Sequence, residues 1–184
     1  MTVIIALLRG VNVGGHNRIK MEGLRSLCES LDLVRPRTHI QSGNILFGTG
    51  NHNLIALAGN MEAAIETTFH VRCNVILRTA PELASVIAKN PFATRTGIEP
   101  NRLVVNFLGT SPDPGAEEKI RTLNGGPEEL QLLGRELYIY FPNGISSSQI
   151  PPAAIDKALK IPATARNWNT VTKLLQIAEE WGSA

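Results

Sequence analysis

The sequence predicts an α+β protein made of two tandem ferredoxin-like halves, their antiparallel sheets packed into one compact unit. Three observations carry this. The first ninety residues alternate in the order βαββαβ, the same order restarts near residue 97, and the first strand of each half is apolar on both sides. The expected halves are residues 1–90 and 97–184.

Taken in order, TVIIALL is an unbroken apolar run of strand length. KMEGLRSLCESL places Met21, Leu24, Leu27, Cys28 and Leu31 on one stripe, as in an amphipathic helix. RTHIQ and NILF read as short strands around the turn SG, NLIALAGNMEAAIETTF as a second helix and CNVILRT as the closing strand. A helix, APELASVIAKN, and a linker containing Pro and Gly, PFATRTGIEP, come next. RLVVNFL then opens the second half as a strand, and DPGAEEKIRTL is a helix that starts at a proline-containing turn. ELQLL and ELYIYF form a hairpin about Gly134. PPAAIDKALK is a helix with Pro at its start, ATARNW a short strand, and NTVTKLLQIAEEW a terminal helix capped at Asn169 or Thr170. An antiparallel sheet with one wet face alternates in polarity, whereas Val3–Leu8 and Leu103–Val105 do not. Something must cover the second face, and the other half or a symmetry mate is expected to do so.

Composition sets bounds. The chain has 184 residues, 43% of them hydrophobic, enough for a sizeable core. The run Val3–Leu8 is too short to span a bilayer and Arg9 interrupts it, so a cytoplasmic location and no membrane partner are expected. Cys28 and Cys73 lack partners at ligand spacing and read as reduced, partly buried thiols. The net charge of +2 is too small to argue for nucleic acid, but residues 1–90 carry +3 and the remainder −1, and all four histidines lie in the first half. An anion is expected to prefer that half.

Topology adds what spacing cannot. In a βαββαβ sheet the end of strand one and the turn between strands two and three fall on one edge. The loop Arg9–Arg18 should therefore face Gln41-Ser42-Gly43-Asn44, with residues 70–72 close by. The spacing Gly10, four residues, Gly15 resembles the start of a P-loop, yet His16 and Asn17 stand where Lys and Ser or Thr belong, so a nucleotide triphosphatase is not read here. What survives is a glycine-rich strand-to-helix loop beside Arg9, Arg18 and Lys20 that offers N–H donors and positive potential to an anion. The structural alternative is that the glycines serve the turn and the asparagines bond their own backbone.

Elsewhere, TARNWNT puts Arg166 and Trp168 on one face if extended, with Asn167 and Asn169 on the other, a segment able to close over a ligand or to serve as core anchor and helix cap. Tyr138 and Tyr140 share a face of their strand, where RNA-binding modules of this topology stack bases. Packing is the competing role. The acidic pairs Glu117-Glu118, Glu128-Glu129 and Glu179-Glu180 read as solvated faces, and no nucleophile, base and orienter assemble from the sequence.

LLRGVNVGGHNRIKM, RTHIQSGNILF and ATARNWNTVTKL, in this order and spacing, resemble the bacterial family catalogued as domain of unknown function 1697. Where that family has GGKN and RTYIQSGN, this chain has His16 and His39 in place of the lysine and the tyrosine. The resemblance implies a cytosolic α+β protein with ferredoxin-like halves and implies no activity. The leading expectation is a protein, enzymatic or not, that binds a small anionic or nucleotide-like ligand. Arg9, Asn12, the Gly14 and Gly15 amides, Arg18 and Lys20 would donate to it, Gln41, Ser42 and Asn44 would frame it, and Arg166 and Asn167 would complete the site. The alternatives are a nucleic-acid-binding module using the sheet tyrosines and a non-catalytic interaction protein. The sequence specifies no cofactor, no metal site and no oligomeric state.

Overall fold

β1 (Thr2–Leu8) occupies the middle of a four-stranded sheet because its apolar side chains leave neither face to water. A computed structural model describes residues 1–123 and 126–183, so residues 124, 125 and 184 of the expected C-terminal half lie outside the described residues. The chain divides into two compact units: Met1–Ala84 together with the stretch from Lys173 onward, and Ser85–Thr172.

In unit 1, β1 is followed by α1 (Met21–Ser30), β2 (Val34–His39), β3 (Asn44–Thr49), α2 (Leu54–Phe69) and β4 (Val75–Thr79). The strands stand in the order β2-β3-β1-β4, antiparallel throughout, which is the order that a split βαβ unit generates. Ile4, Ala6 and Leu8 point to the helices and meet Leu24 and Cys28 of α1 and Leu57, Met61 and Ile65 of α2. Ile5 and Leu7 point the other way and are as fully buried. Each such burial contributes roughly 1.5–3 kcal/mol. Part of the second face is covered by the chain's own C-terminal helix, α6 (Trp168–Gly182), whose Trp181 lies against Gly48 of β3. Asn53 caps α2, its Oδ1 accepting from Ala56 N at 3.0 Å, and α2 ends with His70 in the left-handed region. Glu82 and Thr79 form a reciprocal capping box at the start of α3 (Ala80–Ala88): Thr79 N donates to Glu82 Oε2 at 2.7 Å and Glu82 N to Thr79 Oγ1 at 3.2 Å.

Unit 2 repeats the plan with β5 (Leu103–Leu108), α4 (Ala116–Thr122), β6 (Glu129–Leu133), β7 (Glu136–Tyr140), α5 (Pro152–Leu159) and β8 (Ala163–Asn167), ordered β6-β7-β5-β8. The registers superimpose the two sheets residue by residue. Ile5 pairs with Arg78 as Val105 pairs with Arg166, and Ala6 pairs with Ile45 as Asn106 pairs with Leu137. Val104, Leu108, Leu137 and Ile139 face α4 and α5. On the opposite face Tyr138 donates its hydroxyl to Val86 O at 2.7 Å. The terminal helix begins earlier than expected. Trp168 is its first residue, and the cap is Asn167, whose Oδ1 accepts from Asn169 N at 3.0 Å.

Candidate functional site

The predicted convergence is present in unit 1. Where β1 ends, Leu8 N donates to Gly43 O and Arg9 N to Asn74 O, both at 2.9 Å, so the loop leaves between the β2–β3 turn and the start of β4. Gly43 has φ +70°, and a Cβ there would stand 2.8 Å from Leu8 Cβ and 3.4 Å from Val11 Cβ. Only glycine permits that approach.

Asn12 joins the two segments. Its Oδ1 accepts from Ile19 N at 2.9 Å, while its Nδ2 donates to Ile19 O at 3.0 Å and, across the rim, to Gln41 O at 2.7 Å. The base of the loop is rooted in the core by Val11 and Ile19, both buried. Above it the chain folds into a small hairpin: Asn12 N donates to Asn17 O, His16 N to Val13 O, and Asn17 Nδ2 to Gly10 O. Gly14 and Gly15 form its exposed tip. Arg18 Nε donates to Gly15 O at 3.2 Å, which holds the guanidinium beside the tip.

These bonds sort the expected ligand residues. Asn12 is spent on the scaffold. Asn44 is fully buried, its Nδ2 donating to His39 O at 3.1 Å and to the Oγ of half-buried Ser42 at 3.0 Å, so both residues help to build the turn. Gly14, Gly15, Arg18, Lys20 and Gln41 are exposed on the rim and Arg9 is half-buried. Lys20 precedes α1 as its N-cap residue without capping it through a side chain. Arg72, expected near the rim, is held by Glu66 at 2.5 Å.

Loop, turn and strand order together decide the family. Over residues 1–138 the chain matches the family described as "Protein of unknown function (DUF1697)". The chain belongs to that family. The DUF1697 chain is also similar to the protein described in "The structure of conserved bacterial protein SP0830 from Streptococcus pneumoniae". Identity to it is 24%, 96% of this chain and 98% of that one are covered, and the TM-score is 0.69, a likeness of fold. No curated protein matches the chain.

In unit 2 of this DUF1697 protein, Arg166 is buried, with Nη1 donating to Thr164 Oγ1 and Ala165 O, both at 2.8 Å, and burial pulls its pKa down to about 10. Its guanidinium lies inside the fold and braces β8. Asn167 is spent on its cap and on Asn101 O, to which Nδ2 donates at 2.9 Å. Tyr138 and Tyr140 are buried, Tyr138 against α3 with its hydroxyl pushed up by burial, Tyr140 between Phe92 and the Arg95 guanidinium. Neither ring face is open to a base. Glu128, read as solvated, is buried because Oε1 accepts from Gln149 N at 2.9 Å and so pins the segment before α5. Burial alone would raise its carboxyl; the hydrogen bonds it accepts outweigh that and hold it below the usual range.

Sequence reasoning missed Arg78, buried on β4 at the position equivalent to Arg166. The signal was an arginine inside the apolar run VILRT.

Both cysteines are free, and burial pushes Cys28 up to about 12 and Cys73 up to about 11. Because the thiolate is the nucleophile, labelling by a disulfide reagent at pH 8 is expected to be slow for Cys73 and slower for Cys28, and immediate for both in denaturant. Mass spectrometry of the labelled peptides reads the order. Rapid native labelling of Cys28 contradicts its burial.

Proposed function

We propose that the protein binds a small anionic, nucleotide- or phosphosugar-like molecule at the rim of unit 1, in the cytoplasm. The observation that supports this is the tip of the 9–18 loop. Among the described residues no hydrogen bond uses the N–H of Gly14 or Gly15, although the rest of the loop is closely bonded. Consecutive free N–H groups of glycines in left-handed geometry suit an anion, and here φ is +59° and +80°. Arg18 supplies the charge at the right place: a Cβ on Gly15 would lie 3.7 Å from its Nη2. Lys20 and Gln41 are exposed where the loop meets α1 and the β2–β3 turn, and Asn12 and Gly43 act by holding the base of the loop rigid, which lowers the entropy cost of binding.

Isothermal titration with inorganic phosphate, nucleotides and phosphosugars tests it. Arg18→Ala is expected to weaken the best ligand roughly 10- to 100-fold, as loss of a charge-assisted hydrogen bond should, and rising salt to weaken the wild type. Lys20→Ala and Gln41→Ala should cost less. Affinities unchanged by all three substitutions would remove the site.

A further inference from the structure

We propose a second ligand site, in unit 2, for an uncharged small molecule that has an apolar body and an amide-like edge. It arises from a difference between two otherwise parallel folds. In unit 1 residues 50–53 lead from β3 into α2, a helix running Leu54–Phe69 that lays Leu57, Met61 and Ile65 along the sheet. In unit 2 the corresponding helix, α5, runs only Pro152–Leu159, and residues 141–151 take an irregular path over the sheet first. A helix that short leaves part of the face without a layer, and a cavity of about 440 Å³ opens there. Val104, Ile139 and Phe141 form its floor, and Ile145, Ile150 and Ile155 its roof. The roof is held in place, since Gln149 N donates to the buried Glu128 carboxylate.

Asn106 identifies the occupant. It stands on the central strand where unit 1 has the fully buried Ala6, so the sheet itself has no need of an amide at that position. Asparagine is a poor strand residue, and among the described residues its side chain takes part in no hydrogen bond. The other polar side chains lining the cavity are spent: Asn167 on its cap and Asn101 O, and Ser148 on Ile150, whose N–H it accepts at 3.1 Å. Asn106 therefore offers one donor and one acceptor side by side within an apolar shell. No lining residue carries a charge, so an ion there would lose its hydration without a partner. A carboxamide or lactam edge satisfies both halves of the amide, and the volume suits a drug-sized molecule.

Titration of the ¹⁵N-labelled full chain with indole-3-acetamide and, in parallel, with 3-methylindole tests the proposal by amide chemical-shift mapping. Indole-3-acetamide is expected to move Asn106, Ile139 and Ala165 resonances and to bind roughly tenfold more tightly than 3-methylindole, as one amide pair should allow. Asn106→Leu, an apolar change of the kind that Ala6 shows the sheet to accept, should bring the two probes to equal affinity. Ala165→Trp, at an exposed position on the edge strand, should fill the cavity and block both. The proposal is overturned if millimolar indole-3-acetamide leaves these resonances unmoved, if the two probes bind equally to the wild type, if their difference persists in Asn106→Leu, or if binding survives Ala165→Trp.

Discussion

Gly48→Ala is expected to destabilise unit 1 by about 3 kcal/mol, at the upper end of what an added methyl costs in a packed site. The added Cβ would lie 2.3 Å from Trp181 Cη2 and 2.8 Å from its Cζ2. An indole free to swing would yield, but this one is fixed at both ends. Its Nε1 donates to Arg35 O at 3.0 Å, the Arg35 guanidinium lies 4.0 Å from the ring centroid, and Arg35 Nη2 donates to Trp181 O at 3.2 Å. Arg35 reaches the ring because β2 is irregular between Val34 and Arg37, with Arg35 at φ +48°. Trp181→Leu should itself cost roughly 2–4 kcal/mol in the wild type, yet much less in the Gly48→Ala background, where the added methyl has already displaced the ring. Urea unfolding of the two single variants and the double variant reads this as a coupling of about 1 kcal/mol or more. Additive costs would mean that α6 does not close this face of the sheet.

The same contact shows where the sequence stops being informative. β1 and β5 were legible as central strands because Ile4–Leu8 and Leu103–Val105 admit no wet face, and the strand order followed from element order alone. The periodicity of α6 marks an apolar stripe but does not say which sheet receives it, and the helix from Lys173 onward groups with unit 1. Glu128 looks solvated beside Glu129 until a loop 21 residues away supplies Gln149 N. The cavity was hidden for another reason: PPAAIDKALK already reads as a shorter helix than NLIALAGNMEAAIETTF, but the path that residues 141–151 take over the uncovered face has no periodic pattern to reveal it. Asn106 had no meaning until the register set it opposite Leu137, where Ile45 faces Ala6 in the other unit.

At the rim, the meeting of loop and turn was legible from topology, while the division of labour within it was not. An asparagine in a glycine-rich loop reads as a local turn former. Asn12 instead bonds a residue 29 positions away. Asn12→Ala is therefore expected to cost about 2–4 kcal/mol. Three hydrogen bonds at roughly 1 kcal/mol each account for most of that, and an alanine forced to hold φ +56° adds about 1 kcal/mol. Asn12→Gly removes the same bonds without the backbone penalty, so it should be less damaging by about that last increment. Asn12→Asp retains the acceptor for Ile19 N but sets a carboxylate oxygen, which cannot donate, against Ile19 O and Gln41 O, and should cost at least as much as Asn12→Ala. Chemical denaturation of the four proteins gives the ranking, and amide exchange at Leu8 and Ile19 shows whether the loop has come loose from the turn. If Asn12→Ala kept wild-type stability and exchange, the Gln41 contact would not hold the rim, and a ligand at Gly14 and Gly15 would then meet a tip that must first be ordered, at an entropic cost visible as weaker phosphate binding.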